Sequence, residues 1–242
     1  MKINWDSEVL SSVSKVVDQL EHLSINKDSI ESVADWLAYE EFPIPSSAAV
    51  RDDADDFIRA TMFMNTLNFA FTDFDKSIKY EINEDGKILS DSEAMYFQVN
   101  NAIDSGIKLT DGNEMASISL HQLKNIFVGN IEMPMLKERV EILNEVGQKL
   151  VDSYEGDWIN FINNGPKKLY SDGGGLIERL IEEFPRFDDS SQFKGSNVKF
   201  YKLAQLAFWV IHAELSRSNY FKIEDMNSMT AFADYIIPVA LN

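Results

Sequence analysis

The residues of this 242-residue chain that are best suited to chemistry lie near its end. Asp234 stands between Phe232 and Tyr235 in an otherwise apolar segment, where a carboxylate is costly to bury unless it is paired or functional. Lys202 follows Tyr201 at the start of a long apolar helix, and its ammonium can pair with a phosphate or a carboxylate. Aromatic rings beside a carboxylate suit a heteroaromatic ligand that is linked to a sugar. These residues predict a ligand pocket in which Asp234 is the catalytic carboxylate.

Each of these residues also has a structural interpretation. Asp234 can be an acid on the surface of a helix, and Lys202 can extend its ammonium to solvent from an apolar helix face. His212 lies further along the same helix, but Glu214 two positions later is on another face, so the two are not a natural dyad. A histidine in such a helix is more often a packed or surface residue than a ligand contact.

A second set of candidates lies in segment 68–75. Phe69 and Phe71 are followed by Asp73 and Asp75. Phenylalanine rings can stack on a purine-like base while a carboxylate accepts hydrogen bonds from its amino and imino groups. A buried strand that ends in a polar turn fits the same pattern equally well.

The composition excludes several classes of function. Acidic residues number 40 and basic residues 22, so the net charge is −18, and such a surface disfavours a nucleic-acid partner. The chain has no cysteine, which excludes disulfides, thiolate nucleophiles and cysteine-based zinc sites. The histidines are His22, His121 and His212, which lack the spacing of metal ligands. No metal is therefore predicted. We find no signal peptide and no run of 18 apolar residues, so we expect a cytoplasmic protein without a membrane partner.

The middle of the chain has the alternating pattern of strands. Apolar residues alternate with others over 67–71 and again over 78–82. The Asp85–Gly86 pair that follows is a strong signal for a tight turn, because glycine tolerates positive φ. The pattern predicts a small antiparallel sheet across residues 67–89.

The rest of the chain has helical periodicity, with apolar residues at steps of three and four. Helices are predicted over 7–23, 28–40, 52–66, 92–105, 119–127, 134–153, 156–163, 174–184, 198–216 and 228–240. A proline-rich connector is predicted at 42–47. Because no clear linker interrupts the chain, we predict a mainly α protein that forms a single helical domain over residues 1–242.

The order and spacing of several short motifs resemble the queuosine salvage family, the queuosine 5′-phosphate N-glycosylase/hydrolases. The resemblance is spread over most of the chain and includes segments 67–71, 99–106, 133–139 and 144–147. The strongest matches are Phe-Pro at 184–185, Phe-Tyr-Lys at 200–202, Ala-Gln at 204–205 and Phe-Ala-Asp-Tyr at 232–235, with Pro238 after them.

The resemblance implies a mostly helical fold similar to helical DNA glycosylases. It also implies an enzyme that releases queuine, a 7-deazaguanine base, from a small-molecule nucleotide by hydrolysing the N-glycosidic bond. Neither a metal nor an organic cofactor is implied, and the sequence indicates no particular protein partner. Cleavage of such a bond passes through an oxocarbenium-like state, which a fixed carboxylate stabilises or attacks through water. Asp234 takes that role.

The substrate-binding residues follow from the same resemblance. Asp73 or Asp75 would read the edge of the base beside two aromatic rings, and Lys202 with Tyr201 would hold the phosphate or the ribose. The full predicted set is Phe69, Phe71, Asp73, Asp75, Tyr201, Lys202, His212, Phe232 and Tyr235.

The chain departs from the family pattern at several positions. Relatives usually have arginine in place of Leu203 and tryptophan in place of Thr72, and an aspartate and an aromatic residue where this chain has Val210 and His212. The family also normally continues for several helices beyond segment 232–235, so we expect either a shortened piece or a divergent relative. Two alternatives therefore stay open beside the glycosidase. One is a catalytically inactive relative that binds the nucleotide or base, and the other is a hydrolase that releases a different base.

Overall fold

A computed structural model describes residues 7–40 and 51–234 of the chain. Within these residues there are ten α-helices and three two-stranded antiparallel sheets. The predicted mainly helical fold with small antiparallel sheets is therefore confirmed. The proline-rich connector that we predict at 42–47 lies outside the described residues.

The helices carry most of the buried surface, and each strand is short. The helices are α1 (Glu8–Ser14), α2 (Lys27–Leu37), α3 (Ala54–Thr66), α4 (Asp91–Asp104), α5 (Gly112–Ser117), α6 (Leu120–Ile126), α7 (Leu136–Tyr154), α8 (Trp158–Asn163), α9 (Leu176–Glu183) and α10 (Lys202–Leu215). The strands are β1 (Thr72–Asp73), β2 (Ile78–Lys79), β3 (Glu81–Glu84), β4 (Lys87–Ser90), β5 (Ser190–Phe193) and β6 (Ser196–Lys199). Short 3-10 helices occur at Val17–Gln19, Pro185–Phe187 and Met226–Ser228.

The amino-terminal helices differ in how they attach to the rest of the protein. The helix predicted over 7–23 is wrong beyond Ser14, where α1 ends before a 3-10 turn. α1 lies against β6, and its Ser12 hydroxyl accepts a hydrogen bond from the Lys199 N–H at 2.9 Å. No side chain of α2 is buried against the described chain, and its Trp36 is 59% exposed. α1 thus anchors this end of the molecule.

The prediction of a strand over 67–71 is wrong. Leu67 closes α3, because its N–H bonds back to the Met64 carbonyl, and Ala70 has a left-handed φ of 49° that a strand does not tolerate. Two separate hairpins occupy the rest of the region, β1 with β2 and β3 with β4. The turn predicted at Asp85–Gly86 is confirmed, with φ values of 47° and 85°.

The continuous helical pattern predicted beyond residue 92 is also wrong in places. β5 and β6 form an unpredicted hairpin whose turn, Lys194–Gly195, has φ values of 46° and 83°. This hairpin occupies the first part of the helix predicted over 198–216, and α10 begins only at Lys202 because Tyr201 has a φ of 49°. Residues 228–234 contain no α-helix, and residues 235–240 lie outside the described part of the chain.

The hydrophobic core is built around α7, which lies against α5, α6 and α8. The tightest approach is at Gly147, where a Cβ atom would lie 2.3 Å from the Ala116 amide nitrogen and 2.7 Å from the Gly112 carbonyl oxygen. Contacts this short do not occur in real structures, so only glycine allows α5 and α7 to come this close. A cluster of rings completes the core, with Trp158 centred 4.9 Å from Phe184.

We expect Gly147→Ala to lower the free energy of unfolding by about 2–3 kcal/mol, because the added methyl group overlaps backbone atoms that cannot rotate away. Urea denaturation measures this loss. Glu145→Ala, at an exposed position of the same helix, is the matched control and should change stability by less than about 0.5 kcal/mol. A Gly147→Ala protein as stable as the control variant would show that the two helices are not in close contact.

A second prediction concerns Asp157, which joins α8 to α3. Its carboxylate accepts hydrogen bonds from Arg59 Nε at 2.9 Å and Nη2 at 2.8 Å, and from the Ile159 N–H at 3.0 Å. Although burial acts in the opposite direction, these bonds lower the pKa of Asp157. Because the pKa is lowered in the folded state, the stabilisation is present above the unfolded value of ~3.9 and is lost as the pH falls below it.

We therefore expect Asp157→Asn to cost about 1–2 kcal/mol of unfolding free energy at pH 7. The difference from the unmodified protein should shrink as the pH falls below about 4. Thermal unfolding over a pH series measures both effects, with the exposed Asp35→Asn as the control variant. A difference that stays constant with pH would mean that the ionised carboxylate does not stabilise the fold.

Candidate functional site

The two residues singled out from the sequence, Lys202 and Asp234, form an ion pair. Lys202 Nζ lies 2.5 Å from Asp234 Oδ2, and the two side chains are 25% and 28% exposed. Lys202 is the first residue of α10, whose amino end has no side-chain cap. The positive end of the helix dipole and the ammonium therefore both stabilise negative charge on Asp234.

One face of α10 holds the segment that carries Asp234. Gln205 is fully buried, and its Oε1 atom accepts hydrogen bonds from the N–H and the hydroxyl of Thr230, at 2.8 and 3.0 Å. The Trp209 ring meets the Phe232 ring edge-on, with centroids 6.0 Å apart. Lys202, Gln205 and Trp209 follow one another at steps of three and four, so they share one face of the helix. We call the extended residues 229–234 the carboxyl-terminal segment.

Tyr201 is 1% exposed and its hydroxyl donates a hydrogen bond to Glu8 Oε2 at 3.0 Å. The Lys199 ammonium donates to the same oxygen at 2.6 Å. Burial and the neighbouring Glu8 charge raise the pKa of Tyr201. The backbone of Tyr201 is therefore next to Lys202, while its hydroxyl is bound to α1.

Phe69 and Phe71 are fixed by a buried arginine. Arg139 in α7 is fully buried, and its Nη atoms donate to the carbonyl oxygens of Leu67, Phe69 and Ala70. The guanidinium carbon lies 4.3 Å from the centre of the Phe69 ring and 5.2 Å from that of Phe71. Burial lowers the pKa of Arg139 to about 10, which still leaves it charged at neutral pH.

A second arginine connects this aromatic segment to α10. Arg186 Nε donates to the Thr66 carbonyl at 2.8 Å, and its guanidinium carbon lies 4.5 Å from the centre of the Phe69 ring. Three residues later the Asp189 carbonyl accepts hydrogen bonds from the N–H groups of Phe200 and Tyr201, at 2.9 and 3.3 Å. Direct contacts therefore lead from Phe69 through segment 186–189 to the start of α10.

Asp73 and Asp75 lie in the β1–β2 hairpin. Asp73 accepts a hydrogen bond from the Lys76 N–H at 3.2 Å and pairs with the Lys76 ammonium at 3.1 Å, and these interactions lower its pKa. Asp75 is exposed, next to Phe74, which is 80% exposed. The hydrogen bonds and ion pairs of the described chain do not join either acid to Lys202 or Asp234.

His212 is ten residues beyond Lys202 in α10, about 15 Å along the helix axis. Its Nδ1 atom accepts a hydrogen bond from the Ile223 N–H at 3.0 Å, and burial lowers its pKa. This contact orders the loop after α10. Tyr235, the last predicted substrate-binding residue, lies outside the described part of the chain.

Sequence reasoning missed Gln205, Trp209, Arg139 and Arg186. The first two have a readable signal, since they continue the face of α10 that starts at Lys202. Arg139 has no such signal, because the carbonyl groups that it binds are about seventy positions away along the chain. An arginine in an amphipathic helix normally indicates a solvated surface.

Two searches of the described residues give negative results. No three histidine, cysteine or acidic side chains among residues 7–40 and 51–234 are grouped so that they could bind a metal ion. In the same residues we find no helix with the length and apolar character that crossing a membrane requires.

Comparison with known proteins relates the whole chain to one group of relatives. It is 26% identical over 237 residues to the queuosine 5′-phosphate N-glycosylase/hydrolase of Sphaerobacter thermophilus. This match covers 97% of this chain and 71% of that protein. The proteins of the same name from Bos taurus and Mus musculus are 31% identical over 179 residues and 30% identical over 191 residues. These matches cover 73% and 78% of this chain. The chain spans about half the length of these two mammalian relatives, 51% and 55%.

The family described as queuosine salvage protein matches residues 48–242. This match includes Lys202, Asp234 and the aromatic segment that Arg139 holds. The chain therefore belongs to the queuosine salvage protein family, as its motifs indicated.

Proposed function

We propose that this protein hydrolyses the N-glycosidic bond of queuosine 5′-phosphate and releases queuine. The observation that carries the proposal is the Asp234 carboxylate, held by Lys202 at the amino end of α10 and bordered by Phe232. The names of the relatives support the same reaction. A fixed, ionised carboxylate beside aromatic rings is what cleavage of a base–ribose bond requires.

The reaction needs one negative group close to the ribose carbon. As the bond from C1′ to the base nitrogen breaks, the base leaves with the electron pair and positive charge develops on the ribose. Asp234 stabilises that charge and accepts a proton from the attacking water, whose oxygen forms the new bond to C1′. The proton then passes to the departing base, so that the products are queuine and ribose 5-phosphate.

Lys202 serves in this scheme as a positioning residue. Its ammonium is bound to Asp234, so it orients the carboxylate for the reaction. The sequence predicts a phosphate contact for Lys202, and the ion pair favours the role of orienting the acid instead. Phe232, held edge-on by Trp209, provides the apolar wall nearest to Asp234.

The remaining predictions from the sequence concern the wider context. The contacts of Phe69, Phe71, Asp73, Asp75, Tyr235 and His212 with substrate stay predictions. So do the single domain over 1–242, the likeness to helical DNA glycosylases and the cytoplasmic location.

A catalytically inactive binding relative is the second candidate. It is favoured by the ion pair itself, since a carboxylate that is neutralised by Lys202 can serve recognition as well as catalysis. This candidate predicts that queuosine 5′-phosphate raises the unfolding temperature without being cleaved. Mass detection of free queuine during the same incubation separates the two.

We expect Asp234→Asn to lower the rate of queuine release by about 10²–10⁴-fold, because an amide neither carries negative charge nor accepts the proton of water. Release is measured by mass spectrometry after incubation with queuosine 5′-phosphate. Asp172→Asn is the matched control, since Asp172 is exposed and its left-handed φ of 49° suits asparagine. Undiminished release by the Asp234→Asn protein would remove Asp234 from this role.

A positioning role for Lys202 predicts a graded response. Lys202→Met should lower kcat by about 10–100-fold, because the carboxylate loses the ammonium that orients it and stabilises its charge. KM should change much less than kcat, because Lys202 acts on the carboxylate and not on the substrate, and a purely structural loss does not cause this split. Lys202→Arg keeps a cation at this position and should retain more activity than Lys202→Met. Equal losses in both variants, with kcat and KM changed to the same degree, would contradict the positioning role.

A further inference from the structure

Arg186 has a hydrogen-bonding group that the protein does not use. Its Nη2 atom is buried and has no hydrogen-bond partner among residues 7–40 and 51–234. Its Nε atom donates to the Thr66 carbonyl, and the guanidinium lies over the Phe69 ring. A buried donor without an acceptor costs free energy, so such a group commonly serves a ligand.

The two arginines over the Phe69 ring differ in this respect. Every guanidinium nitrogen of Arg139 donates to a backbone carbonyl, including Nε to Pro134 at 3.0 Å. Each guanidinium nitrogen of Arg139 thus has an acceptor in the backbone, so this arginine serves the fold. Arg179 in α9 also has a buried Nη2 without a hydrogen-bond partner, but its other nitrogens donate to the Gly174 and Phe161 carbonyls, and its hydrogen bonds within the described residues do not involve Phe69 or α10.

The Asp189 carboxylate acts on the charge of Arg186, against the effect of burial, but does not form a salt bridge with it. None of the ion pairs within the described residues includes Arg186. Burial lowers its pKa to about 10, so it is protonated at neutral pH. A buried cation without a paired anion favours an anionic ligand.

Lys202 is less suited than Arg186 to bind an anionic ligand. Asp234 already balances the charge of the Lys202 ammonium, and a phosphate at the same nitrogen would compete with the carboxylate that the reaction needs. Arg186 lies in the segment that bonds to the start of α10 through the Asp189 carbonyl. Among the described contacts that lead from Phe69 to Lys202, Arg186 thus contributes a positive charge and an N–H donor without an acceptor.

We propose that Arg186 binds the phosphate monoester of the substrate through its buried Nη2 group and thereby selects a nucleotide over the uncharged nucleoside. This inference rests on the proposed function and deepens it. A guanidinium donates strong, directed hydrogen bonds to phosphate oxygens, so the phosphate anchors the ribose while Asp234 acts at C1′. The alternative is that Arg186 only fastens segment 66–69 to the 3-10 helix Pro185–Phe187.

The test compares two substrates in matched variants. Arg186→Gln should lower kcat/KM for queuosine 5′-phosphate by about 10–100-fold, the loss expected for one charge-assisted contact. With queuosine, which lacks the phosphate, kcat/KM should change less than about twofold. Arg186→Met keeps an apolar stem over Phe69 and should behave like Arg186→Gln, whereas Arg186→Lys should recover part of the activity. Arg217→Gln, at an exposed arginine, is the control and should match the unmodified protein with both substrates.

A fall of the same size with both substrates would overturn the proposal and assign Arg186 to the fold, and so would a nucleotide rate that does not change. Unfolding temperatures of all variants are measured alongside. If Arg186→Gln does not fold, Arg186→Lys decides the question, because the same two-substrate comparison applies to it.

A binding measurement separates this inference from the proposed function. Calorimetry with ribose 5-phosphate should show binding to the unmodified protein and at least tenfold weaker binding to Arg186→Gln, with ribose as the uncharged control. If that result holds while no queuine is released from any substrate, the glycosidase proposal fails and the phosphate site stands. If queuine is released but ribose 5-phosphate binds both proteins equally, the phosphate site fails and the glycosidase proposal stands.

Discussion

Asp234 and Phe232 take their positions from the contacts between one face of α10 and the carboxyl-terminal segment. Three different interactions hold the segment against the helix. Lys202 pairs with Asp234, Gln205 bonds to Thr230, and the Trp209 ring meets the Phe232 ring. The helix supplies rigidity, and the segment supplies the acid. Because the buried Gln205 amide is fully used between Thr230 and Phe200, a shift of the segment along the helix would leave polar atoms unpaired.

The buried arginines donate their hydrogen bonds to backbone carbonyls rather than to acidic side chains. Arg139 and Arg179 both donate to main-chain oxygens, and both guanidinium groups lie over a phenylalanine ring. The net charge of −18 therefore resides mostly at the surface, and none of the buried residues in the described chain is acidic. Carbonyl dipoles and ring faces offset part of the desolvation cost of each cation. This arrangement allows loops to be fixed without strands or helices.

Sequence periodicity predicted the long helices well, because an amphipathic stripe leaves few other ways to bury its apolar face. α3, α4 and α7 begin and end close to their predicted bounds. Two predicted elements were wrong for reasons that periodicity does not contain. Segment 67–71 is not a strand, because Arg139 binds its carbonyl groups. The helix predicted over 198–216 begins only at Lys202, because Tyr201 has a left-handed φ. In the site, Lys202 and Asp234 were identified from residue type and motif. Arg186 was not assigned a role, since its open donor becomes visible only when its neighbours are known.

The hydrogen bonds of Glu8 connect α1 to the candidate site. One carboxylate oxygen of α1 receives both the Tyr201 hydroxyl and the Lys199 ammonium, which are 193 and 191 positions away along the chain. Tyr201 immediately precedes the lysine that orients Asp234. Removing the Glu8 carboxylate would therefore remove two hydrogen bonds beside the start of α10. Glu8 thereby couples the first and the last α-helix of the described residues, which lie far apart along the chain.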